Sequence, residues 1–234
     1  MSNVLGQVVI FKAPTDSDKE QKDAYREVLS SGGFDVINVP VLDFEFINLE
    51  VLSVKLNQPE DYSGIIFSSP RCVKACELAC DNRTDSQVVP EKWKRCQNFA
   101  VGETTAKTAE EVGFQVSGKE AGNANALADV ITKGDFDKPF LYPIGSLTND
   151  NFRLKLKESN IDVEDIVVYK TKPYPNLEDI VTKLLDRLVQ PVYFLYFSPS
   201  GVKFTIPILR GKNFNEDSVK VSMMLILDHI PWKS

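Results

Sequence analysis

The feature that most constrains the fold of this chain is a repeated order of apolar segment, polar turn and helical segment. Residues 8–12 predict a short buried strand of four apolar residues and Lys12, a helical pattern runs to Ser31, and Gly32 and Gly33 end it before a second strand expected at residues 34–41. A helix between two strands gives the chain the length to return to the same edge of the sheet, so the strands run parallel. The beginning of the chain therefore predicts one βαβ unit.

The same order continues between residues 64 and 169. Apolar segments alternate with amphipathic ones, and glycine, serine or proline stands at many boundaries, as is typical of α/β proteins. We therefore predict an α/β fold with parallel sheets. The expected strands are residues 64–67, 99–101, 114–116, 139–142 and 162–169, and the expected helices are one that ends at Cys80 and those at residues 106–112, 123–132 and 150–158.

Two segments of the chain share one construction. In residues 65–70 and in residues 195–200 an apolar strand ends in Phe-Ser and a proline opens the next helix, which indicates two α/β domains built alike. Because the first strands alone are too short for a domain, we predict a discontinuous domain of residues 1–41 and 173–234, with a domain of residues 50–170 inserted into it. Two connections between the domains imply a hinge and a cleft.

Composition limits the partners of the chain. It has 234 residues, 43% of them hydrophobic, and a formal net charge of −6 from 27 basic and 33 acidic residues. Since like charges form no long block, neither nucleic acid nor an acidic membrane surface is an expected partner. The longest apolar run, near residues 221–227, is far shorter than the roughly 20 residues of a membrane helix, and the N-terminus lacks a signal-peptide pattern. We expect a cytosolic protein in which any anionic ligand meets local hydrogen-bond donors.

Cysteine spacing favours a structural role for this residue type. Cys72, Cys76 and Cys80 recur every fourth residue, and Cys96 stands apart. Zinc sites usually contain a tight Cys-x-x-Cys pair, which is missing, and the single histidine, His229, is remote in sequence. We expect the three spaced cysteines on the buried face of a helix in a reducing compartment, and no metal.

Hydroxyl groups and glycines follow several of the expected strands. In parallel α/β sheets ligands bind outside the carboxyl ends of the strands, and helices that begin there offer free N–H groups and a favourable dipole to anions. The alternative for each single serine or threonine is that it only caps its helix. Several such turns around one cleft favour a carboxylate or phosphate ligand. The candidate binding residues are Ser68, Ser69, Gly102, Thr104, Thr105, Gly145, Ser146, Tyr169, Ser198 and Ser200.

Other catalytic motifs are missing from the sequence. It contains no G-x-x-x-x-G-K-[ST] loop, no G-x-G-x-x-G after a strand and no G-x-S-x-G elbow. With His229 as the only histidine, acid–base chemistry falls to a tyrosine, a lysine or a carboxylate. The residues alone thus predict a two-domain α/β protein with a cleft for an anionic ligand.

Several short motifs occur along the chain in a fixed order. They are VPVLDFEF at residues 39–46, PEDYSGIIFSSPR at 59–71, EKW at 91–93, VGETTA at 101–106, GNA at 122–124, VYKT at 168–171 and FSPSG at 197–201. With these motifs, in this order and spacing over about residues 5–205, the chain resembles the uroporphyrinogen-III synthases of the animal type.

This resemblance implies two α/β domains joined by a two-stranded linker, with the active site in the cleft between them. It implies an enzyme that acts on hydroxymethylbilane, removes the hydroxyl to give an azafulvene, inverts ring D through a spiro intermediate and closes uroporphyrinogen III in haem synthesis. No cofactor or metal is expected, and the protein is expected to be a monomer. Tyr169 matches the family's tyrosine that assists departure of the hydroxyl, as a proton donor or through an ordered water, while Ser69, Thr105 and Ser198 match positions that bind substrate side chains. The alternative for Tyr169 is that it is a core aromatic of the domain linker. The eight carboxylates of the substrate agree with the anion-binding residues inferred above.

The C-terminus departs from the family's pattern. After a strand expected at residues 218–221, the family has a Gly-x-Thr-Thr-Ala turn, a helix, a strand and a terminal helix, whereas residues 221–234 read VSMMLILDHIPWKS. We therefore expect a C-terminally incomplete domain, with reduced stability and little activity. Two alternatives to an active synthase follow: a non-catalytic hinged module that binds an anionic metabolite, and an inactive truncated form.

Overall fold

A computed structural model describes residues 5–14, 23–81, 91–148, 150–189, 191–212 and 219–223 as alternating β-strands and α-helices. The strands are β1 (Gly6–Lys12), β2 (Phe34–Pro40), β3 (Leu42–Phe46), β4 (Gly64–Phe67), β5 (Asn98–Ala100), β6 (Val116–Ser117), β7 (Phe140–Gly145), β8 (Val163–Pro173), β9 (Val192–Tyr196) and β10 (Val219–Met223). The helices are α1 (Ala24–Ser31), α2 (Leu49–Leu56), α3 (Pro70–Asp81), α4 (Gly102–Val112), α5 (Ala124–Ile131), α6 (Asn151–Glu158), α7 (Leu177–Leu185) and α8 (Pro199–Gly211).

These elements form two units, each built around one sheet. Unit 1 consists of the described residues within 1–43 and 172–227, and unit 2 of those within 44–171. The strand order is β10-β9-β1-β2 in the first sheet and β3-β8-β7-β4-β5-β6 in the second. All pairs of the first sheet are parallel, and so are the neighbours from β8 to β6 in the second. The predicted α/β class with parallel sheets is confirmed.

In unit 1, strand β1 lies inside the sheet and carries apolar side chains on both faces. Val8 and Ile10 belong to the cluster against which Tyr25 of α1 packs. Phe11 points to the opposite face because side chains alternate along a strand, and its ring stacks on that of Tyr196 at a centroid distance of 4.7 Å. Buried on both faces, β1 needs the continuous apolar run that the sequence shows.

In unit 2, strand β4 is buried over its whole length. Ile65 belongs to the hydrophobic cluster that includes the cysteines of α3, and Ile66 to the cluster that includes residues of α5 and α6. Helix α3 faces the first cluster with Cys72 and Cys76, which are fully buried, and with Cys80, which is 3% exposed. The predicted buried face of spaced cysteines is therefore confirmed.

A buried asparagine joins three segments of unit 2. The side-chain oxygen of Asn98 accepts the N–H of Ile65 at 3.0 Å, and its amide donates to the carbonyls of Trp93 at 2.8 Å and Gln115 at 3.1 Å. Asn98 is 1% exposed, so these groups rely on the asparagine rather than on water. The bonds fix the entrance of β5 beside β4.

Strand β7 extends beyond its predicted end. The sequence predicts a turn at residues 143–146, since proline and glycine commonly mark turns, but β7 continues through Gly145. Its pairing with β4 involves only its first two residues, Phe140 and Leu141. Pro143 has no described pairing partner on the side of β7 that faces β4. Proline has no N–H group, and its absence therefore costs no hydrogen bond on that side.

The atypical ending of the sequence falls mostly beyond the structural description. Strand β10 corresponds to the strand expected at residues 218–221, whereas residues 224–234, with His229, lie outside the described residues. Among the helices of the described ranges, none is long and apolar enough to cross a membrane.

Candidate active site

The carboxyl end of β4 leads into α3 through Ser68 and Ser69. Both serines are half-buried, and each hydroxyl lies 3.4 Å from Sγ of Cys72 in the first turn of the helix. Burial raises the pKa of the Cys72 thiol, although hydrogen bonds from the two serines oppose this rise. The sulfur is therefore an unreactive neutral thiol at neutral pH, and the two hydroxyls form the polar part of this corner.

Tyr169 of β8 occupies a position for which Gly145 leaves the space. The pairing of β7 and β8 shifts between Ile144 and Gly145, so that Gly145 lies opposite Tyr169. A Cβ at Gly145 would lie 2.4 Å from Cζ and 2.6 Å from the phenolic oxygen of Tyr169. Contacts this short do not occur between side chains, so the ring position requires glycine.

Ser146 holds the end of β7 to the same tyrosine through its backbone. Its N–H donates to the carbonyl of Tyr169 at 3.0 Å, and its side chain is exposed. Helix α6 begins only at Asn151. The prediction that the candidate residues stand at helix N-termini is therefore wrong for Gly145 and Ser146, which lie before the helix begins. The hydroxyl of Ser146, rather than its amide, is the group left for a ligand.

The phenol of Tyr169 is half-buried and keeps its proton at neutral pH. Burial raises its pKa, and the neighbouring Cys72 acts in the same direction, whereas a hydrogen bond with Ser69 and the charge of Arg71 lower the pKa. The net pKa lies above the ordinary value of 10.0. Phe44 of β3 meets the ring edge to face at a centroid distance of 6.0 Å. The group is thus a fixed, neutral hydrogen-bond donor.

Arg71 belongs to this corner, and sequence reasoning missed it as a site residue. Its guanidinium carbon lies 3.5 Å from the centroid of the Phe44 ring. Burial lowers the pKa of Arg71, and the groups that oppose this change are Tyr169 and Cys72, with no carboxylate among them. Its place directly after Ser-Ser-Pro at the carboxyl end of a strand is the sequence signal for a ligand-facing cation.

At the carboxyl end of β5, the candidate residues differ in their exposure. Gly102 has φ 73°, a conformation that favours glycine, and no atom lies within 4 Å of the place where a Cβ would stand. Thr104 is exposed, whereas Thr105 is 4% exposed on the inner face of α4. Gly102 and Thr104 are therefore accessible to a ligand as they stand, while Thr105 is enclosed.

In unit 1, Ser198 acts as a helix cap. Its hydroxyl accepts the N–H of Gly201 at 3.2 Å, which satisfies one of the free donors at the start of α8. Ser200 follows in the first turn and is half-buried. The sequence leaves it undecided whether each candidate serine caps its helix, and the structure shows that Ser198 does.

The structure places the candidate residues at the carboxyl ends of four strands and within a fifth. In unit 2, Ser68 and Ser69 follow β4, Gly145 and Ser146 lie at the end of β7, and Gly102, Thr104 and Thr105 follow β5. Tyr169 lies within β8, opposite Gly145. In unit 1, Ser198 and Ser200 follow β9. Among the described side chains, no group of three or more His, Cys, Asp or Glu is arranged to hold a metal ion.

A further polar cluster lies at the carboxyl ends of β1 and β2. Nζ of Lys12 lies 2.7 Å from the carboxylate of Asp23, whose side chain is 4% exposed. The amide of Asn38 donates to the same carboxylate at 3.0 Å, and the carboxylate also accepts the N–H of Tyr25 at the start of α1. These contacts tie α1 to the sheet.

Sequence comparison relates the chain to tetrapyrrole-forming enzymes. The family model "Uroporphyrinogen-III synthase HemD" matches residues 23–224. The uroporphyrinogen-III synthase of Saccharomyces cerevisiae is 26% identical over 211 residues, which cover 82% of this chain and 75% of the relative. A putative uroporphyrinogen-III synthase of Methanocaldococcus jannaschii is 25% identical over 200 residues, which cover 84% of this chain and 73% of the relative.

Solved structures share the fold. The uroporphyrinogen-III synthetase of Helicobacter pylori superposes with a TM-score of 0.60 at 15% identity, covering 94% of this chain and 84% of that one. A mutant uroporphyrinogen III synthase of Thermus thermophilus superposes with a TM-score of 0.56 at 15% identity, and the match covers 93% of this chain and 84% of that one. The likeness of fold agrees with the family match, which extends over most of the sequence. The chain belongs to the uroporphyrinogen-III synthase family.

Proposed function

We propose that this chain converts hydroxymethylbilane to uroporphyrinogen III, with loss of water and inversion of ring D, in haem biosynthesis. The observation that carries the proposal is the family match over residues 23–224. The match includes the corner formed by Ser68, Ser69, Gly145 and Tyr169. The name of the yeast relative states the same synthase activity for that protein.

Tyr169 is the proposed proton donor. As the carbon–oxygen bond of the hydroxymethyl group breaks, the phenol transfers its proton to the departing oxygen, and the pyrrole nitrogen stabilises the carbon as an azafulvene. The substituted α-carbon of ring D then bonds to this carbon and gives the spiro intermediate. The bond from that α-carbon to its original methylene breaks, ring D turns over, and its free α-carbon bonds to the methylene. The proton on this last α-carbon returns to the phenolate as the macrocycle closes. The raised pKa of Tyr169 supports this role, since the phenol is protonated before the substrate binds.

Substrate binding is proposed to rest on neutral donors at the ends of parallel strands. Hydroxyls and helix N-termini bind carboxylates without a high net positive charge, which suits a protein with a formal net charge of −6. Such donors occur in unit 1 and in unit 2, and the substrate carries carboxylates around its whole length. The proposed binding residues are Ser68, Ser69, Gly102, Thr104, Thr105, Gly145, Ser146, Ser198 and Ser200.

The test supplies hydroxymethylbilane and resolves the oxidised products by isomer. We expect uroporphyrin III above the isomer I that forms spontaneously, and a drop of about 100-fold in the rate for Tyr169→Phe. Tyr193→Phe is the matched control, because Tyr193 meets Phe34 edge to face at 5.7 Å much as Tyr169 meets Phe44. Isomer I alone from the wild-type chain would contradict the synthase activity and favour a non-catalytic binding module. An undiminished rate for Tyr169→Phe would contradict only the proton-donor role.

A monomer in the cytosol is the proposed working form. The four cysteines are free thiols, which agrees with a reducing compartment. Size-exclusion chromatography with light scattering tests the monomer, and a mass near twice 26.2 kDa would contradict it.

A further inference from the structure

Arg71 differs from the other half-buried cations of the described chain in its partners. Lys12 forms an ion pair with Asp23, and Lys55 with Glu164. The guanidinium of Arg71 instead lies over an aromatic ring, 3.5 Å from its centroid, and no described carboxylate lies within salt-bridge distance of it. A partly desolvated charge normally has a counter-charge, and among the described residues no carboxylate supplies one to Arg71.

The polar neighbours of Arg71 are neutral hydrogen-bond donors rather than carboxylates. Tyr169 is close enough for its phenol and the guanidinium to affect each other electrostatically, and Ser69 is near enough to the same phenol to lower its pKa. A guanidinium, a neutral phenol and a serine hydroxyl together offer several N–H and O–H groups to one anion. A carboxylate is the small anion whose two oxygens match the fork of a guanidinium.

Two features keep this arrangement in place. The ring of Phe44 holds the guanidinium plane through a cation–π contact, and Gly145 allows the ring of Tyr169 to remain within the corner. The donors are thus positioned before any ligand arrives, which lowers the entropic cost of binding.

We propose that Arg71 binds one side-chain carboxylate of the tetrapyrrole and thereby places the adjacent hydroxymethyl group against the phenol of Tyr169. The inference rests on the proposed function for the identity of the substrate and for the role of Tyr169. The carboxylate-binding part stands on the geometry of Arg71, and it can be measured without turnover.

The test is a fluorescence titration with uroporphyrin III, an octacarboxylate that does not react. Arg71→Met retains the aliphatic stem over Phe44 and removes the charge, and we expect it to weaken binding by about 10- to 100-fold, as for a lost charge-assisted hydrogen bond. Arg71→Lys keeps a charge without the planar fork, so we expect an intermediate loss. Lys74→Met, one turn along α3 at an exposed position paired with Glu77, is the matched control with unchanged affinity.

Two further readouts separate binding from a structural role. Arg71→Met is expected to melt at or above the wild-type temperature, because it removes a half-buried charge without a carboxylate partner. In turnover assays it is expected to raise KM, because a binding contact is lost, and also to lower kcat, because the hydroxymethyl group is no longer held against Tyr169. Equal uroporphyrin affinity for Arg71→Met and Lys74→Met would overturn the inference, whether or not the wild-type chain forms isomer III. Loss of affinity in a chain that forms only isomer I would leave the carboxylate site standing and remove the proposed activity.

Discussion

Replacing Gly145 by alanine isolates the position of the Tyr169 phenol from its chemistry. Gly145 is buried and its backbone is not in the left-handed region, so alanine fits the strand without backbone strain. The added Cβ would lie 2.4 Å from Cζ, 2.6 Å from the phenolic oxygen and 2.8 Å from Cε2 of Tyr169. The strand cannot give way, and the end of the tyrosine side chain is the part that moves.

The displacement sets the size of the expected effect. To reach ordinary contact at 3.4 Å from Cζ, the ring must shift by about 1 Å, and a misplacement of about 1 Å in a reacting group can lower a rate about 100-fold. We expect this loss in kcat for uroporphyrinogen III, measured as isomer III formed per unit time. The melting temperature should change by only a few degrees, because the gain from replacing glycine, about 0.4–1 kcal/mol, offsets part of the repacking cost of about 1–3 kcal/mol.

Two comparisons decide whether the reasoning holds. Gly211→Ala is the control, since no atom lies within 4 Å of its Cβ position, and it should keep full activity. In a Tyr169→Phe background, Gly145→Ala should lower kcat little further, because the ring that it displaces has already lost its hydroxyl. A folded Gly145→Ala variant with wild-type kcat, or full additivity of the two substitutions, would refute the argument.

Two predictions concern stability. Asn98→Ala leaves the N–H of Ile65 and two carbonyls without their partner; at about 1–3 kcal/mol per buried unsatisfied group, we expect a loss of about 3 kcal/mol and a Tm lower by about 6–12 °C. Asn57→Ala, which removes an exposed bond, is the control, and an equal small shift in both would contradict the prediction. For the ion pair of Lys12 and Asp23, burial opposes ionisation, but Lys12 and the hydrogen bonds outweigh it and lower the pKa of Asp23 below 3.8. Because the folded pKa is the lower one, this stabilisation is complete above the unfolded pKa of about 3.9 and is lost as the pH falls through the folded pKa. In the Asp23→Asn variant, the midpoint urea concentration of unfolding should therefore fall less steeply with decreasing pH than in the wild-type protein. The same pH dependence in both proteins would contradict a stabilising role of the ion pair.

Element type followed from the sequence because local patterns decide it. The apolar run of β4 and the cysteine spacing of α3 predict a buried strand and the inner face of a helix, and both are observed. The sequence predicts the ends of helices and strands less well where local and tertiary preferences differ. At residues 143–145, proline and glycine predict a turn, yet the pairing with β8 extends the strand to Gly145.

The sequence by itself determined the parallel α/β architecture and the hydroxyl-bearing strand ends, because both depend on periodicity and on neighbours along the chain. Only the tertiary structure decided which of these groups meet. Phe44, Arg71 and Tyr169 lie far apart in sequence. Phe44 meets both of the others because β3, β8, β7 and β4 are neighbours in one sheet. Strand order follows from long-range pairing, which no local pattern records. For the same reason Gly145 looked like a turn residue in the sequence, and the fold shows it as the space that Tyr169 requires.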